Sequence, residues 1–548
     1  MKRNLFLPVL IITILFASCK KSGTSGLLVP GDAAIVFHIN NASLSSKLSW
    51  EEIRQTNWYK ELSKHADDSL AQKILNDPAQ SGVDTKADFV IFLSAHGKNG
   101  YLVFEGSLKD AAAFEAFNKK MHKSGTAAKD GPISFMLLDE TAILTWNSTH
   151  FTYVTGVPMP DMQGIAERKQ AGLDHHTIIP ADSLKLFGKN ILSLKASDKL
   201  DKDSRFVSLI KDGSDVHLWM NTEKYYAGML GPMVAMMGNI AALTKGNIST
   251  ASYKFDNGKI TMDSKQYYGK EMAEFMSNYN VKPVSAETVA RIPSQNVVAA
   301  LAMNYPPEAV QGFLKFLGID GLANMFIAKT GYSLAEFEKA MKGEVLFAVT
   351  DFSLKTKDDT LKYGEGEPMI FPKTKPDANV LLATAVKDKV AFDKLITILT
   401  DKIKEETMGE IPPSITYKSD NNWFAIGNSP EQVNQFLAGG STKAAFADKM
   451  SGHPFGLYID VKKILQVTST TARDSVRKAA FAVALDTWEE VKAWGGEYNN
   501  KSTEFHAEIT MVDKNTNSLK QLNNFIDKMA TIFINEEKAK KETEMKGF

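Results

Sequence analysis

An apolar strand, a Lys-Asp pair and an amphipathic helix occur in this order twice in the chain. The first occurrence is Tyr101–Phe114 and the second is Val380–Phe392. The aspartates of the two pairs, Asp110 and Asp388, are placed to cap their helices, because a carboxylate can accept the unpaired N–H groups of a first helical turn. A repeat of this size predicts that one supersecondary unit is used twice.

Further segments match in the same order along the chain. Val29–Asn40 resembles Ile292–Asn304, Ala87–Phe92 resembles Gly343–Ala348, Asp215–Asn221 resembles Pro454–Asp460, and the hairpin pattern of Ser252–Met262 resembles Thr503–Met511. A helix is expected after each of the last two, near residues 270–279 and 518–534. We therefore predict two copies of one unit, at residues 28–285 and 292–534. The alternative is a coincidence between generic amphipathic patterns.

The strand patterns indicate the fold class. Alternation in Phe37–Asn40 and Tyr101–Phe104 is typical of sheets with one packed face. Strands cluster into hairpins and do not alternate strictly with helices, which favours an antiparallel α+β fold over a doubly wound α/β fold. We predict a tandem duplication of a mixed unit with mostly antiparallel sheets and flanking helices. Lys355–Pro376 has no counterpart in the first copy and is predicted to be an exposed loop or hairpin.

The N-terminus has the pattern of a secretion signal. Lys2 and Arg3 precede the apolar run Leu5–Phe16, whose twelve residues are fewer than the roughly 20 that a membrane span needs. Small residues then precede Cys19, as in a bacterial lipobox. We predict a lipoprotein signal peptide at residues 1–18, a lipidated Cys19 and a flexible tether at residues 19–27. The alternative is an uncleaved helix with a buried cysteine.

Charge and cysteine content narrow the function classes. Lys plus Arg equals Asp plus Glu at 64 each, so net charge gives no support for nucleic-acid binding. One cysteine excludes an internal disulfide and every Cys-based zinc site. Lys20 differs from the aspartate that resembles an inner-membrane retention signal, and the chain lacks the acidic run that resembles a surface-export signal. An outer-membrane anchor facing the periplasm is therefore favoured, with surface display left open.

The lipobox, the opening Val29–Ala34 (Val-Pro-Gly-Asp-Ala-Ala) and the length of 548 residues resemble a known family. It is a Bacteroidota family of lipoproteins, domain-of-unknown-function family 4836. The resemblance would cover essentially the whole mature chain. It implies a cell-envelope location and no assigned activity, and it transfers no catalytic residue.

The sequence contains no Gly-x-Gly-x-x-Gly after a strand, no Walker loop, no Gly-x-Ser-x-Gly and no His-Glu-x-x-His. His175 and His176 with Asp174 could share a metal ion on a loop, but a solvated loop is favoured. His38 and His217 are interpreted as half-buried, hydrogen-bonded imidazoles and not as metal ligands. We predict no cofactor and no metal.

Two segments outside the strand pattern could bind ligands. Asp358, Asp359, Glu365 and Glu367 could bind calcium, but interleaved lysines favour a solvated loop. The Met-rich segment Tyr225–Leu243 could line an adaptable apolar groove through Met229, Met233 and Met236, and its alternative is a kinked core helix. The charged tail at residues 535–548 is interpreted as a solvated helix end.

These observations favour a non-catalytic envelope lipoprotein with a binding or scaffolding role. Its partners would be the membrane, through the N-terminal lipid, and a protein, lipid or glycan. The alternative is an envelope or polymer hydrolase whose site is assembled from scattered residues, and a purely structural role is a third reading. A cleft with converging, perturbed titratable groups would indicate the hydrolase, and a broad apolar groove would indicate binding.

Overall fold

The computed structural model describes residues 26–63, 78–96, 99–122, 125–158, 179–226, 238–361, 369–406, 415–440, 442–443 and 445–546. The chain divides into two compact units. Unit 1 comprises Met1–Glu271 and Thr516–Ile534, and unit 2 comprises Met272–Asn515 and Asn535–Phe548. Cys19 and the predicted signal peptide lie outside the described residues.

Unit 1 is an antiparallel sheet flanked by helices. Its strands are β1 Ile35–Ile39, β2 Phe89–His96, β3 Asn99–Ser107, β4 Ala128–Asp130, β5 Ile133–Asp139, β6 Ala142–Trp146, β7 His150–Pro158, β8 Val216–Asn221, β9 Ile248–Asp256 and β10 Lys259–Tyr267. Its helices are α1 Asn41–Lys47, α2 Trp50–Gln55, α3 Asn57–Ser63, α4 Ala111–Met121, α5 Ala181–Leu192 and α6 Ser204–Ile210, and α7 Lys270–Ser277 crosses the boundary of the unit. The strand order is β10-β9-β8-β1-β2-β3-β7-β6-β5-β4.

Unit 2 is also an antiparallel sheet with helices. Its strands are β11 Val297–Asn304, β12 Met341–Leu361, β13 Met369–Val386, β14 Thr416–Ser419, β15 Trp423–Gly427, β16 Phe455–Asp460, β17 Trp488–Asn499 and β18 Ser502–Met511. Its helices are α8 Ala286–Ala290, α9 Glu308–Leu317, α10 Asp320–Ala328, α11 Leu334–Ala340, α12 Lys389–Glu406, α13 Pro430–Leu437, α14 Ala447–Met450, α15 Val461–Ser469 and α16 Ser475–Leu485. Helix α17 Ser518–Lys546 begins in unit 1 and ends in unit 2. The strand order is β18-β17-β16-β11-β12-β13-β15-β14. The combination of helices with antiparallel sheets confirms the α+β prediction.

Both predicted helix caps are present. Asp110 accepts hydrogen bonds from the backbone N–H groups of Ala112 and Ala113 at the start of α4. Asp388 accepts one from Ala391 at the start of α12. Each cap of this kind stabilises its helix by about 1 kcal/mol, because it satisfies N–H groups that have no partner within the helix.

The hairpin predicted within Thr503–Met511 is wrong in its position. These residues form the single strand β18, which pairs with β17 through a two-residue turn at Asn500 and Lys501. Both turn residues have positive φ, 47° and 65°, and such a turn matches the twist of a hairpin. The predicted hairpin at Lys355–Pro376 is confirmed, since β12 and β13 continue to pair through Lys355 and Lys375.

The core of unit 1 lies on both faces of its sheet. On one face, Val36, Phe92 and Val103 join residues of α5 and α6 in a buried cluster. The residues of the other face and its helices form a second cluster, which we call the closed face. It contains Ile39, Leu44, Leu48, Ile53, Tyr59, Phe89, Phe104, Phe114 and Leu519, among others. Leu519 belongs to α17, so residues near the C-terminus complete a core that forms mostly from the first half of the chain.

The core of unit 2 lies mainly on one face of its sheet. Small residues of the central strands are fully buried there against α8 and α13. They include Ala300, Ala302, Ala348, Ala383 and Ala425. On the opposite face, a smaller cluster forms where α12 packs Phe392 against Phe424.

Candidate apolar binding site

Large apolar side chains occupy the second face of the unit 2 sheet and remain partly exposed. On β12, Leu346 and Ala348 are buried, whereas Phe347 between them is 37% exposed. On β13, Leu382 is 45% exposed between the buried Leu381 and Ala383. A solvated face of an antiparallel sheet normally carries polar residues, so this pattern indicates a surface kept apolar for another purpose. We call it the open face.

The open face contains a continuous apolar row. Five residues on adjacent strands lie directly opposite one another, in the order Leu457, Leu301, Phe347, Leu382 and Ile426. Neighbouring strands are about 4.8 Å apart, so the row is about 19 Å long. The neighbouring positions Met303 and Val380 are also apolar and partly exposed. The result is an apolar strip across five strands.

Helices α15 and α16 lie near this sheet without closing over it. Helix α15 contacts β11, β12 and β17, and α16 packs against α15. Neither helix contains a buried residue, although α15 carries Ile464 and Leu465 and α16 carries Phe481. By contrast, α13 in the same unit buries Val433 and Phe436 completely. Since a closely packed helix would bury its apolar residues, we interpret α15 and the open face as the two sides of a groove.

The helices beside the groove are basic. Between Val461 and Leu485 there are five basic residues and one acidic residue, Asp474. The basic residues are Lys462, Lys463, Arg473, Arg477 and Lys478. Asp474 caps α16 and pairs with Arg477. The groove therefore combines an apolar floor with helices of net positive charge.

Several residues predicted as site candidates lie outside the described residues. They are Cys19, Met229, Met233, Met236, Asp174, His175, His176, Glu365 and Glu367. Asp358 and Asp359 lie on β12, paired with Pro372 and Phe371 of β13. Among the residues that the structure describes, no group of histidine, cysteine, aspartate and glutamate side chains could hold a metal ion.

His38 and His217 contact each other across β1 and β8, and both are fully buried, not half-buried as predicted. Their Nδ1 atoms are 3.0 Å apart. His38 Nε2 lies 3.1 Å from Asp88, and His217 Nε2 lies 2.8 Å from Asp212. The cross-strand register places the rings together, and the two carboxylates fix the outer nitrogens.

These three contacts form a linear chain that ends at a carboxylate on each side. Each Nε2 lies within hydrogen-bond distance of a carboxylate, and the two Nδ1 atoms lie within hydrogen-bond distance of each other. Burial raises the pKa of Asp212, but hydrogen bonds from His217, Ser214 and Ser252 outweigh burial and bring it to about 2. Asp212 is therefore ionised at neutral pH. The arrangement joins strands and loops of unit 1, which is a structural role.

Glu105 on β3 is the most perturbed carboxyl among the described residues. It is 1% exposed, and burial raises its pKa to about 8 against the opposing effects of the Leu28 N–H and Lys199. Its Oε1 lies 4.0 Å from Nε2 of His150, whose pKa burial lowers. At pH 7 both side chains are thus neutral and form no ion pair. Glu105 holds the start of the described chain through Leu28 and has no surface from which to reach a substrate.

The open face was missed in the sequence analysis, although a signal was present. In Ala300–Met303 small and large apolar residues alternate, because Ala300 and Ala302 are small whereas Leu301 and Met303 are large. The alternation separates a face of small residues under close-packed helices from a face of large residues. In the sequence analysis this segment serves only as part of the counterpart of Val29–Asn40.

Comparison with known proteins gives one family match. The profile of DUF4836, a domain of unknown function, matches residues 27–296. This span covers the first part of the chain and is shorter than the near-complete coverage expected from the resemblance. No curated protein matches the chain.

Solved structures similar to the chain include two crystal forms of TP0453. Form III is 12% identical with a TM-score of 0.24, and the match covers 47% of this chain and 87% of TP0453. Form IV is 13% identical with a TM-score of 0.23, covering 44% and 78%. Similarity at this level carries no argument about fold or function. Among the described helices, none combines the length and apolar character needed to cross a bilayer.

Proposed function

We propose that this protein is a lipid-anchored envelope protein that binds an acyl chain, without catalysis, in the groove beside the open face of unit 2. The observation that carries the proposal is the apolar row across five strands, which stays partly exposed although α15 contacts two of these strands, β11 and β12. Burial of apolar surface contributes roughly 25 cal/mol per Å². Covering five large, partly exposed side chains therefore gives a ligand several kcal/mol of gross binding energy.

The shape of the groove favours a lipid over a protein or glycan. A stable protein interface needs about 800 Å² on each partner, whereas α15 already lies over part of this sheet face. A thin, flexible chain fits between a helix and a sheet. A glycan would need polar partners, and the central row from Leu457 to Ile426 offers only apolar side chains. The same composition gives no acid, base or nucleophile along the row.

The basic helices α15 and α16 support an anionic headgroup at the edge of the groove. Lys462 and Lys463 lie in the first turn of α15, and Arg477 and Lys478 lie in the first turns of α16. Phosphate or carboxylate groups interact favourably with such side chains. The ligand class is therefore an anionic lipid with at least one acyl chain.

The proposed location rests on the N-terminal sequence. The apolar run Leu5–Phe16 followed by Cys19 supports cleavage before Cys19 and lipidation of its thiol. The resemblance and Lys20 support an outer-membrane position facing the periplasm in a Bacteroidota envelope. Replacing Cys19 with alanine should release the protein from membranes or block its processing. Unchanged size and unchanged membrane partition would contradict this part of the proposal.

We also propose that the two units arose by tandem duplication, with copies at residues 28–285 and 292–534. The residue pairing supports this relation. In unit 1, Phe37 lies opposite Ile91 and Leu218, and Ile91 lies opposite Phe104. In unit 2, the residues that the sequence repeat equates with these are Leu301, Phe347, Leu457 and Leu382, and they pair in the same way. A superposition in which these four positions failed to coincide would refute it.

The ligand proposal is tested with the chain from Lys20 to Phe548, purified and stripped of lipid. A fluorescent fatty acid should bind saturably at one site. Leu382→Asp places a charge on the open face and should lower the affinity at least tenfold. Leu137→Asp is the matched control, because Leu137 in unit 1 is 41% exposed and should tolerate the change. Absence of binding in the parent chain, or equal loss in both variants, would refute the proposal.

A separate experiment tests the hydrolase alternative. The same purified chain would be incubated with envelope glycans and lipids, and the products would be followed by mass spectrometry. Turnover would show that the protein is an enzyme.

A further inference from the structure

Helix α10 of unit 2 presents an apolar stripe to the surroundings. Four large residues on or next to this helix are exposed, at Ile319 43%, Leu322 55%, Met325 50% and Phe326 57%. Their spacing of three, three and one residues places them along one side of a helix. We call these four residues the α10 stripe. It is separate from the open face, which is formed by strands.

Helix α10 is attached to the unit by few contacts. It packs chiefly against α9, and neither helix contains a buried residue. Helix α9 is held through Phe313 and Phe316, which pack against Phe275. Gly318 joins the two helices with φ 73°, a left-handed conformation that ends α9. The stripe can therefore enter another medium without removing any residue from the core.

Two lysines accompany the stripe. Lys315 lies in the last turn of α9, and Lys329 follows α10 with its Nζ 5.3 Å from the centre of the Phe326 ring. Apolar residues on one side of a helix with flanking lysines are typical of helices that lie in a membrane interface, where the lysine tips reach the phosphates. Asp320 in the first turn of α10 offsets one of the two lysines, and the remaining net positive charge fits a phospholipid surface better than a dry protein interface.

The short segment between Cys19 and Gly26 supports the bilayer as the partner of the stripe. Gly26 is the first residue that the structure describes, and it follows Cys19 by seven residues. A segment of that length spans at most about 25 Å. If Cys19 carries the proposed lipid, the bilayer stays within this reach of Gly26 and is present at a high effective concentration. This step rests on the proposed anchoring and does not depend on a lipid in the groove.

We propose that the α10 stripe docks this protein onto the surface of the phospholipid bilayer to which it is anchored. The stripe enters the interfacial region, and Lys315 and Lys329 stay at the level of the phosphates.

The test uses the unlipidated chain from Lys20 to Phe548, which contains no cysteine. Met325→Cys gives one labelling position on the stripe for an environment-sensitive fluorophore. Leu186→Cys, at a position 59% exposed in unit 1, is the matched control. With vesicles of phosphatidylethanolamine and phosphatidylglycerol, emission at Met325→Cys should shift to the blue and rise at least twofold. The control should stay unchanged.

A second set of variants tests binding directly. Phe326→Glu should lower co-sedimentation with the same vesicles at least fivefold, whereas Leu186→Glu should not. Leu382→Asp, which impairs the proposed groove, should keep vesicle binding, so failure of the two proposals can be distinguished. Circular dichroism checks that every variant is folded. An unchanged emission at Met325→Cys, or a stripe that instead mediates self-association abolished by Phe326→Glu, would overturn the proposal.

Discussion

The two units have the same order of central strands and differ in what covers one face of the sheet. In unit 1, α1–α3 follow the first strand and bury Leu44, Ile53 and Tyr59 in the closed face. In unit 2, α9 and α10 follow the first strand and bury no residue. Phe104 is 6% exposed in the closed face, whereas Leu382 at the equated position of unit 2 is 45% exposed.

This difference shows that the strands alone do not determine whether a sheet face becomes core or surface. Both faces carry large apolar residues at paired positions. In unit 1 the helices and Leu519 of α17 complete the layer. In unit 2 the matching helices α9 and α10 bury no residue, and α10 exposes its large apolar side chains. A face that serves as a core wall in one unit thus remains available for a ligand in the other.

The closed face should be far less tolerant of truncation. Phe89 is fully buried there, and Phe89→Ala should lower the free energy of unfolding of unit 1 by about 3–5 kcal/mol, since it removes a large side chain and leaves a cavity. Urea unfolding followed by circular dichroism measures the change. A loss below about 1 kcal/mol would mean that the closed face is not a packed core.

The pH dependence of stability tests whether water is excluded from the surroundings of Glu105 in unit 1. The pKa of about 8 lies above the ordinary value of 4.5, so between these pH values the folded state holds a proton that the unfolded state has lost. Stability should therefore fall as pH rises from about 5 to 8, by about 2–4 kcal/mol. Glu105→Gln should remove this slope in thermal unfolding curves. An equally steep slope in the variant would assign the pH dependence to other groups.

The histidine pair is a further difference between the units. The repeat equates His38 and His217 with Ala302 and Gly456, which also lie opposite each other. His217→Leu should cost unit 1 about 2–3 kcal/mol, because it leaves the buried Nδ1 of His38 without its partner. A double-mutant cycle with His38→Ala should show strong coupling. Additive losses would mean that the rings do not interact.

The smallest effect is expected on the open face. Phe347→Ala should change the stability of unit 2 by no more than about 1 kcal/mol, because Phe347 is already partly solvated. The same variant should weaken fatty-acid binding severalfold. Thermal unfolding and fluorescence titration of one preparation give both values. A stability loss as large as that of Phe89→Ala would show that the open face is core.

The sequence predicted helices and strands better than it predicted which faces of the sheets are covered by helices. Asp110 and Asp388 cap helices because capping depends on a few adjacent residues. The turn at Asn500 was misplaced because the strand alternation continues on both sides of it. The sequence carries the alternation of the open face but does not show that this face stays uncovered, since α9 has the amphipathic pattern of a core helix and only its tertiary position leaves Phe313 and its neighbours unburied.

Helix α17 has a consequence for the order of folding. Its Lys520 pairs with Glu52, 468 residues earlier in the chain, and its Asn523 accepts a hydrogen bond from the indole of Trp58. Contacts between such distant residues form slowly, because a long loop must close before they contribute energy. During synthesis these partners are absent until residues beyond 515 have left the ribosome. Unit 1 therefore begins to emerge first but cannot complete its core until almost the whole chain has been synthesised.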